Sequence, residues 1–137
     1  MPQRSVADPV NGSGFLGKRR WAIAEGYIPG ESVEPDDRAL KSHEAACLLN
    51  ATDRDAEITI TVFFENRDPA GPYRISLPAR RTRHLRFNDL SDPERIPRDT
   101  PYSSLIESNV PIVVQHSRLD ARRPSVALLS TVAFALE

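Results

Sequence analysis

Proline constrains this chain more than any other residue. Twelve prolines run from Pro2 to Pro124, against six glycines. Each fixes φ and removes a backbone donor, so helix is interrupted repeatedly and short strands joined by turns are favoured. With 137 residues the chain has room for one domain and little room for a second. An apolar fraction of 39% is enough to build a core.

The strands follow from local patterning. Glu57–Phe64 is the clearest, because Ile58, Ile60, Val62 and Phe64 alternate with Glu57, Thr59, Thr61 and Phe63. The turn-forming stretch 65–72 returns the chain into Tyr73–Leu77, which alternates again and predicts a hairpin with a long loop. Trp21–Ala24 is apolar at every position and predicts a strand covered on both faces, with Trp21, Ile23 and Glu25 on one side. His43–Leu49 mixes helix and strand formers, and its short length favours strand. Thr82–Phe87 would turn Leu85 and Phe87 inward and Thr82, His84 and Arg86 outward, with Arg83 at the strand entrance. Two separate strands are expected at 102–108 and 112–119, divided by Asn109–Pro111, and a final central strand at 125–136, apolar on both parities. The expected fold is an all-β, antiparallel sandwich or barrel-like single domain of about eight strands. Residues 1–19 read as a flexible N-terminal tail, and 20–137 as the domain.

Charge and motifs narrow the chemistry. Eighteen Lys and Arg against 19 Asp and Glu leave a net charge of −1, which gives no global case for nucleic acid or an anionic membrane. Apolar runs of four or five residues fall far short of a membrane span, which needs about 20, and residues 1–20 lack a signal-peptide core. One cysteine, Cys47, excludes an intrachain disulfide and suits a reducing compartment. Cytoplasmic residence is therefore expected. There is no phosphate loop, G-x-G-x-x-G, H-E-x-x-H or G-x-S-x-G, so no enzyme is expected and no cofactor or metal is implied. Cys47 sits in an apolar run and reads as a buried, inert thiol. His43, His84 and His116 lie one per strand, which is poor spacing for a metal site.

Two clusters stand out. In Gln115–Asp120, period-2 alternation puts His116, Arg118 and Asp120 on one face after Ile112 and Val114, the apolar-to-charged change expected at the mouth of a sandwich or at an oligomer interface. Between Asp68 and Asp89 the chain has no acid but carries Arg74, Arg80, Arg81, Arg83, His84 and Arg86. That local basic patch could meet an anionic ligand, an acidic partner or a nucleic-acid backbone.

Four long segments, WAIAEGYIP (21–29), GPYRISLPARRTRHLRFNDL (71–90), IPRDTPYSSLIESNVPIVVQHSRLD (96–120) and ALLSTVAFA (127–135), closely resemble the sensory rhodopsin transducer family of cyanobacteria. The tail and the acidic loop at 30–42 depart from it. The resemblance implies a small all-β cytoplasmic homotetramer that acts without catalysis as a relay from a membrane photoreceptor. It also implies binding of small molecules, sugars or their derivatives, and contact with DNA, without membrane insertion. The family-like polar residues on strands are Glu25, Glu44, His84, Arg86, His116 and Arg118. Trp21 or Tyr102 could offer a flat apolar face to a sugar ring, although the main reading of Trp21 is a core residue. The alternative is a protein-interaction or DNA-contacting adaptor that uses Arg80, Arg81, Arg83 and their neighbours up to Arg86.

Overall fold

The computed structural model describes residues 16–136. Its elements are β1 (Lys18–Gly26), β2 (His43–Asn50), β3 (Ala56–Phe63), β4 (Ala70–Leu77), β5 (Arg81–Arg86), β6 (Tyr102–Asp120), β7 (Ala127–Val132) and β8 (Phe134–Ala135), with one 3-10 turn at Phe87–Asp89. All strand pairs are antiparallel, and the eight strands form one connected sheet that does not close into a barrel. Most of the expected tail, residues 1–15, lies outside the described residues, while Lys18 and Arg19 belong to β1.

The organising element is β6. Its 19 residues run through both wings of the sheet. The first half, Ser103–Ser108, pairs with β3 and β1, while the second half, Val113–Asp120, pairs with β2 and β7. One wing thus reads β4-β3-β6-β1-β8 and the other β5-β2-β6-β7. The expected break at Asn109–Pro111 is corrected to a continuous strand. Pro111 is tolerated because it falls where β6 leaves one wing for the other, a position with no cross-strand partner for its missing N–H.

Both wings feed one core. Ile58, Ile60 and Val62 of β3, Tyr73 and Leu77 of β4, Leu48 of β2, Leu85 of β5 and Ile106, Ile112 and Val114 of β6 are all buried in a single cluster. Burying each large aliphatic side chain contributes roughly 1.5–3 kcal/mol. The β3–β4 hairpin matches its alternation, with a register shift between Ile60 and Val62 opposite Ala70.

Two local expectations fail for physical reasons. In β1, Trp21 and Ile23 are buried, but a register shift between Ile23 and Gly26 breaks the pleat and leaves Glu25 outward and Ala24 exposed. The C-terminal segment is not central: among the described residues β7 pairs only with β6 and β8 only with β1, and Leu128 (72%), Val132 (60%) and Phe134 (68%) are exposed. Apolar character on both parities here marks faces that the single chain does not cover.

Candidate functional site

The register of β2 on β6 builds the site. Glu44 stands directly opposite Arg118, and Ala46 opposite His116, so the carboxylate, imidazole and guanidinium share the inner face of this wing. Glu44 is completely buried, and His116 nearly so. Arg118 Nε donates to Glu44 Oε2, and His116 Nε2 donates to Oε1 and Oε2 at 3.1 and 3.2 Å. Facing a carboxylate, that nitrogen carries the hydrogen.

Two further donors close the shell. The Tyr27 amide donates to Glu44 Oε1 at 3.2 Å, and the Tyr102 hydroxyl to the same oxygen at 3.4 Å. Burial, with the Glu44 carboxylate beside it, pushes the Tyr102 phenol far above its ordinary range, so its proton stays available for donation. Burying one carboxylate is costly unless its lone pairs are met, and here four groups meet them. The backbone is braced too: Glu44 N donates to Asn88 Oδ1 at 3.1 Å, and Asn88 Nδ2 to Ser42 O at 3.1 Å.

The cluster leaves one donor group unmet. Arg118 Nη2 is buried and has no hydrogen-bond partner among the described residues, and Glu25 Oε2 lies 3.9 Å from it. Glu25 itself is 77% exposed at its side chain. A guanidinium bonded through Nε alone, next to a solvent-facing carboxylate, combines unused donors with an exposed acceptor.

The six expected residues therefore divide. Glu44, His116 and Arg118 come together, and Glu25 stands at their rim. His84 pairs across from Cys47 and Arg86 from Ala45, which is the opposite parity of β2, so both leave the cluster. His43 shares that outer parity, which separates it and His84 from His116, and no group of three metal-binding side chains occurs among the described residues. Cys47 is half-buried on the same outer face, with Sγ 3.9 Å from Ser117 Oγ, and is thus not the buried thiol expected.

Neither aromatic candidate offers a flat face. Trp21 is core, with Nε1 donating to the carbonyls of Lys18 at 2.9 Å and Ile112 at 3.1 Å. Tyr102 is buried against Phe87, ring centroids 5.6 Å apart. Asp120 shares a face with His116 and Arg118 but is taken by Arg122, at 2.6 Å. In the basic patch, Arg80 pairs with Asp53 at 3.0 Å and Arg81 caps the carbonyls of Ala79 and Arg80, while Arg83 is exposed. Sequence reasoning missed Tyr27, whose contact is made by a backbone amide, and Asn88, whose role follows from a turn that no local pattern announced.

Fold and site together define a small all-β domain with a water-excluded ionic cluster on the inner face of one wing, in which one guanidinium nitrogen is unpaired among the described residues. The chain belongs to the Anabaena sensory rhodopsin transducer family, whose model matches residues 16–135. Among solved structures it is similar to the Anabaena sensory rhodopsin transducer, at 53% identity over 74% of this chain and 96% of that one, with a TM-score of 0.63. It is also similar to protein 1070 of Thermotoga maritima, at 36% identity over 88% and 97% of the two chains, with a TM-score of 0.78. No curated protein matches it. Among the described residues no helix is long and apolar enough to cross a membrane.

Proposed function

We propose that this protein is a non-enzymatic cytoplasmic signal-transducing domain that binds a small polar molecule, a sugar or sugar derivative, and works as a homo-oligomer. Family membership supports the signalling role and makes a membrane photoreceptor the first partner to seek. The observation that carries the ligand reading is the unpartnered Arg118 Nη2 beside exposed Glu25. A guanidinium and a carboxylate a few ångströms apart suit paired hydroxyls or a hydroxy acid, each of which supplies donors and acceptors together.

A homo-oligomer is supported by the apolar β7–β8 strip, whose natural covering is the same strip on another copy, and a count of four is what the family resemblance implies. A thermal-shift screen of neutral sugars and sugar acids tests the ligand reading. Saturation at about 100 times the dissociation constant adds about 2.7 kcal/mol of stability. The expected result is stabilisation of the wild type by at least one compound and none in Glu25→Gln, which lies outside the buried shell. No stabilisation at millimolar ligand contradicts it.

A second reading rests on β5, an edge strand whose Arg81 and Arg83 are exposed and meet no carboxylate among the described residues. As an adaptor for DNA or an acidic protein, it would bind with steep salt dependence, weakened by Arg81→Ala and Arg83→Ala for all DNA sequences alike. Charged residues also guard edge strands against unwanted pairing, and salt-independent binding would leave that as their only role.

A further inference from the structure

On the far side of Asn88 from Glu44 the structure gathers cations from three separate stretches of chain. Arg38 and Lys41 come from the loop between β1 and β2, Arg86 from the end of β5, and Arg95 and Arg98 from the proline-rich loop before β6. They line a cleft of about 220 Å³ in which Asp89 is the one acid among the described residues. In a chain of net charge −1, five cations around one carboxylate is a local excess that needs a reason.

Asp89 supplies only part of one. It is engaged by Arg38, at 2.8 Å, and among the described residues no carboxylate lies within salt-bridge distance of Lys41, Arg86, Arg95 or Arg98. The guanidiniums are nonetheless held in place. Arg86 Nη1 donates to the Arg38 carbonyl at 2.7 Å, and Arg98 donates to the carbonyls of Ile96 at 2.7 Å and Asn88 at 3.1 Å. A guanidinium has five N–H donors, so these anchors leave most of Arg86 and Arg98 unused. The strain is electrostatic: burial and neighbouring Arg38 pull the Arg86 pKa down, and burial and Arg95 do the same to Arg98.

We propose that this cleft binds phosphate, free or as the phosphate group of a small monoester. One guanidinium fork satisfies a carboxylate, whereas converging cations from three directions match a tetrahedral anion carrying nearly two charges. The volume is below the roughly 300–1,000 Å³ of drug-sized ligand sites, which suits one phosphate group and little more. A nucleic-acid single strand would need a stacking aromatic, and none lines the cleft. The site does not depend on the Glu44 cluster being a ligand site.

Titration calorimetry at about 0.15 M salt tests it, with inorganic phosphate, glucose 6-phosphate, acetate and a DNA duplex as separate titrants. One saturable site per chain is expected for inorganic phosphate, with glucose 6-phosphate at equal or greater affinity; greater affinity identifies an ester as the preferred source. Arg86→Gln and Arg95→Gln each weaken phosphate by about 10-fold or more, the scale of one charge-assisted hydrogen bond. Arg83→Gln, on exposed β5, and Glu25→Gln, at the rim of the other cluster, leave it unchanged. Arg95 anchors no backbone carbonyl among the described residues, so its variant remains informative if Arg86→Gln disturbs the fold. Absence of saturation at tens of millimolar phosphate, acetate binding as tight as phosphate, wild-type affinity in Arg95→Gln, or duplex binding that phosphate cannot compete would each overturn the proposal.

Discussion

At the scale of single residues, Glu44 is where charge is most deeply committed. Removing one partner of a buried ion pair leaves the rest uncompensated, at a cost of roughly 3–5 kcal/mol. Urea unfolding of Glu44→Gln should show a loss near that range, while Glu25→Gln, whose carboxylate is 77% exposed and 3.9 Å from Arg118, should stay within about 0.5 kcal/mol of wild type. Equal losses would contradict the geometry. His43 gives a pH signature. Burial, foremost, with Arg86 and Arg38 nearby, lowers its pKa below 6.5, against the Lys41 carbonyl and Glu44, which raise it. The unfolded imidazole takes its proton first as pH falls, so stability declines from about pH 6.5 down to the lower folded value and then levels. Asp89 and Asp120, held below the usual carboxylate range by Arg38 and Arg122, lose their contribution only in stronger acid. His43→Gln should therefore show a smaller stability difference between about pH 7.5 and 5.5 than wild type, and an undiminished difference would refute the assignment. His116 and Arg118 were legible in the sequence as a ladder on one strand, but nothing local joined them to Glu44, 72 and 74 residues earlier. That link is a register, and register is a long-range property.

At the scale of elements, β1 and β6 show how pleat and bulge place the site. Gly26 lies where β1 shifts register, and a Cβ there would stand 2.5 Å from the Tyr102 ring. Gly26→Ala should thus destabilise the fold by roughly 1–3 kcal/mol, the usual cost of overpacking, and move the Tyr102 ring signals in proton spectra. An unchanged ring environment would show that the neighbouring backbone yields instead. The alternating strand β3 was legible because one face is buried by the chain itself. The division of β6 was misread because Pro111 signals a break, while the actual event is a change of pairing partners. The centrality of the last strand was misread for the converse reason: β7 and β8 carry the composition of covered strands but lie at sheet edges in the single chain.

For the whole molecule, those uncovered strands are where the proposed assembly is tested. Light scattering should give a mass near four times 15.3 kDa, and Leu128→Glu with Phe134→Asp should shift it toward the monomer without unfolding β3 or β4. A wild-type monomer at micromolar concentration would remove the oligomer from the account. The central claim is the proposed one, that a sugar-like ligand meets the unpaired donors of Arg118. The most direct measurement follows the Arg118 side-chain N–H resonances while glucuronate is titrated into the wild-type protein. A saturable shift at Arg118 that is lost in Glu25→Gln is the predicted result. Saturation without any movement at Arg118, or no binding of glucuronate or any sugar from the thermal screen, would contradict it.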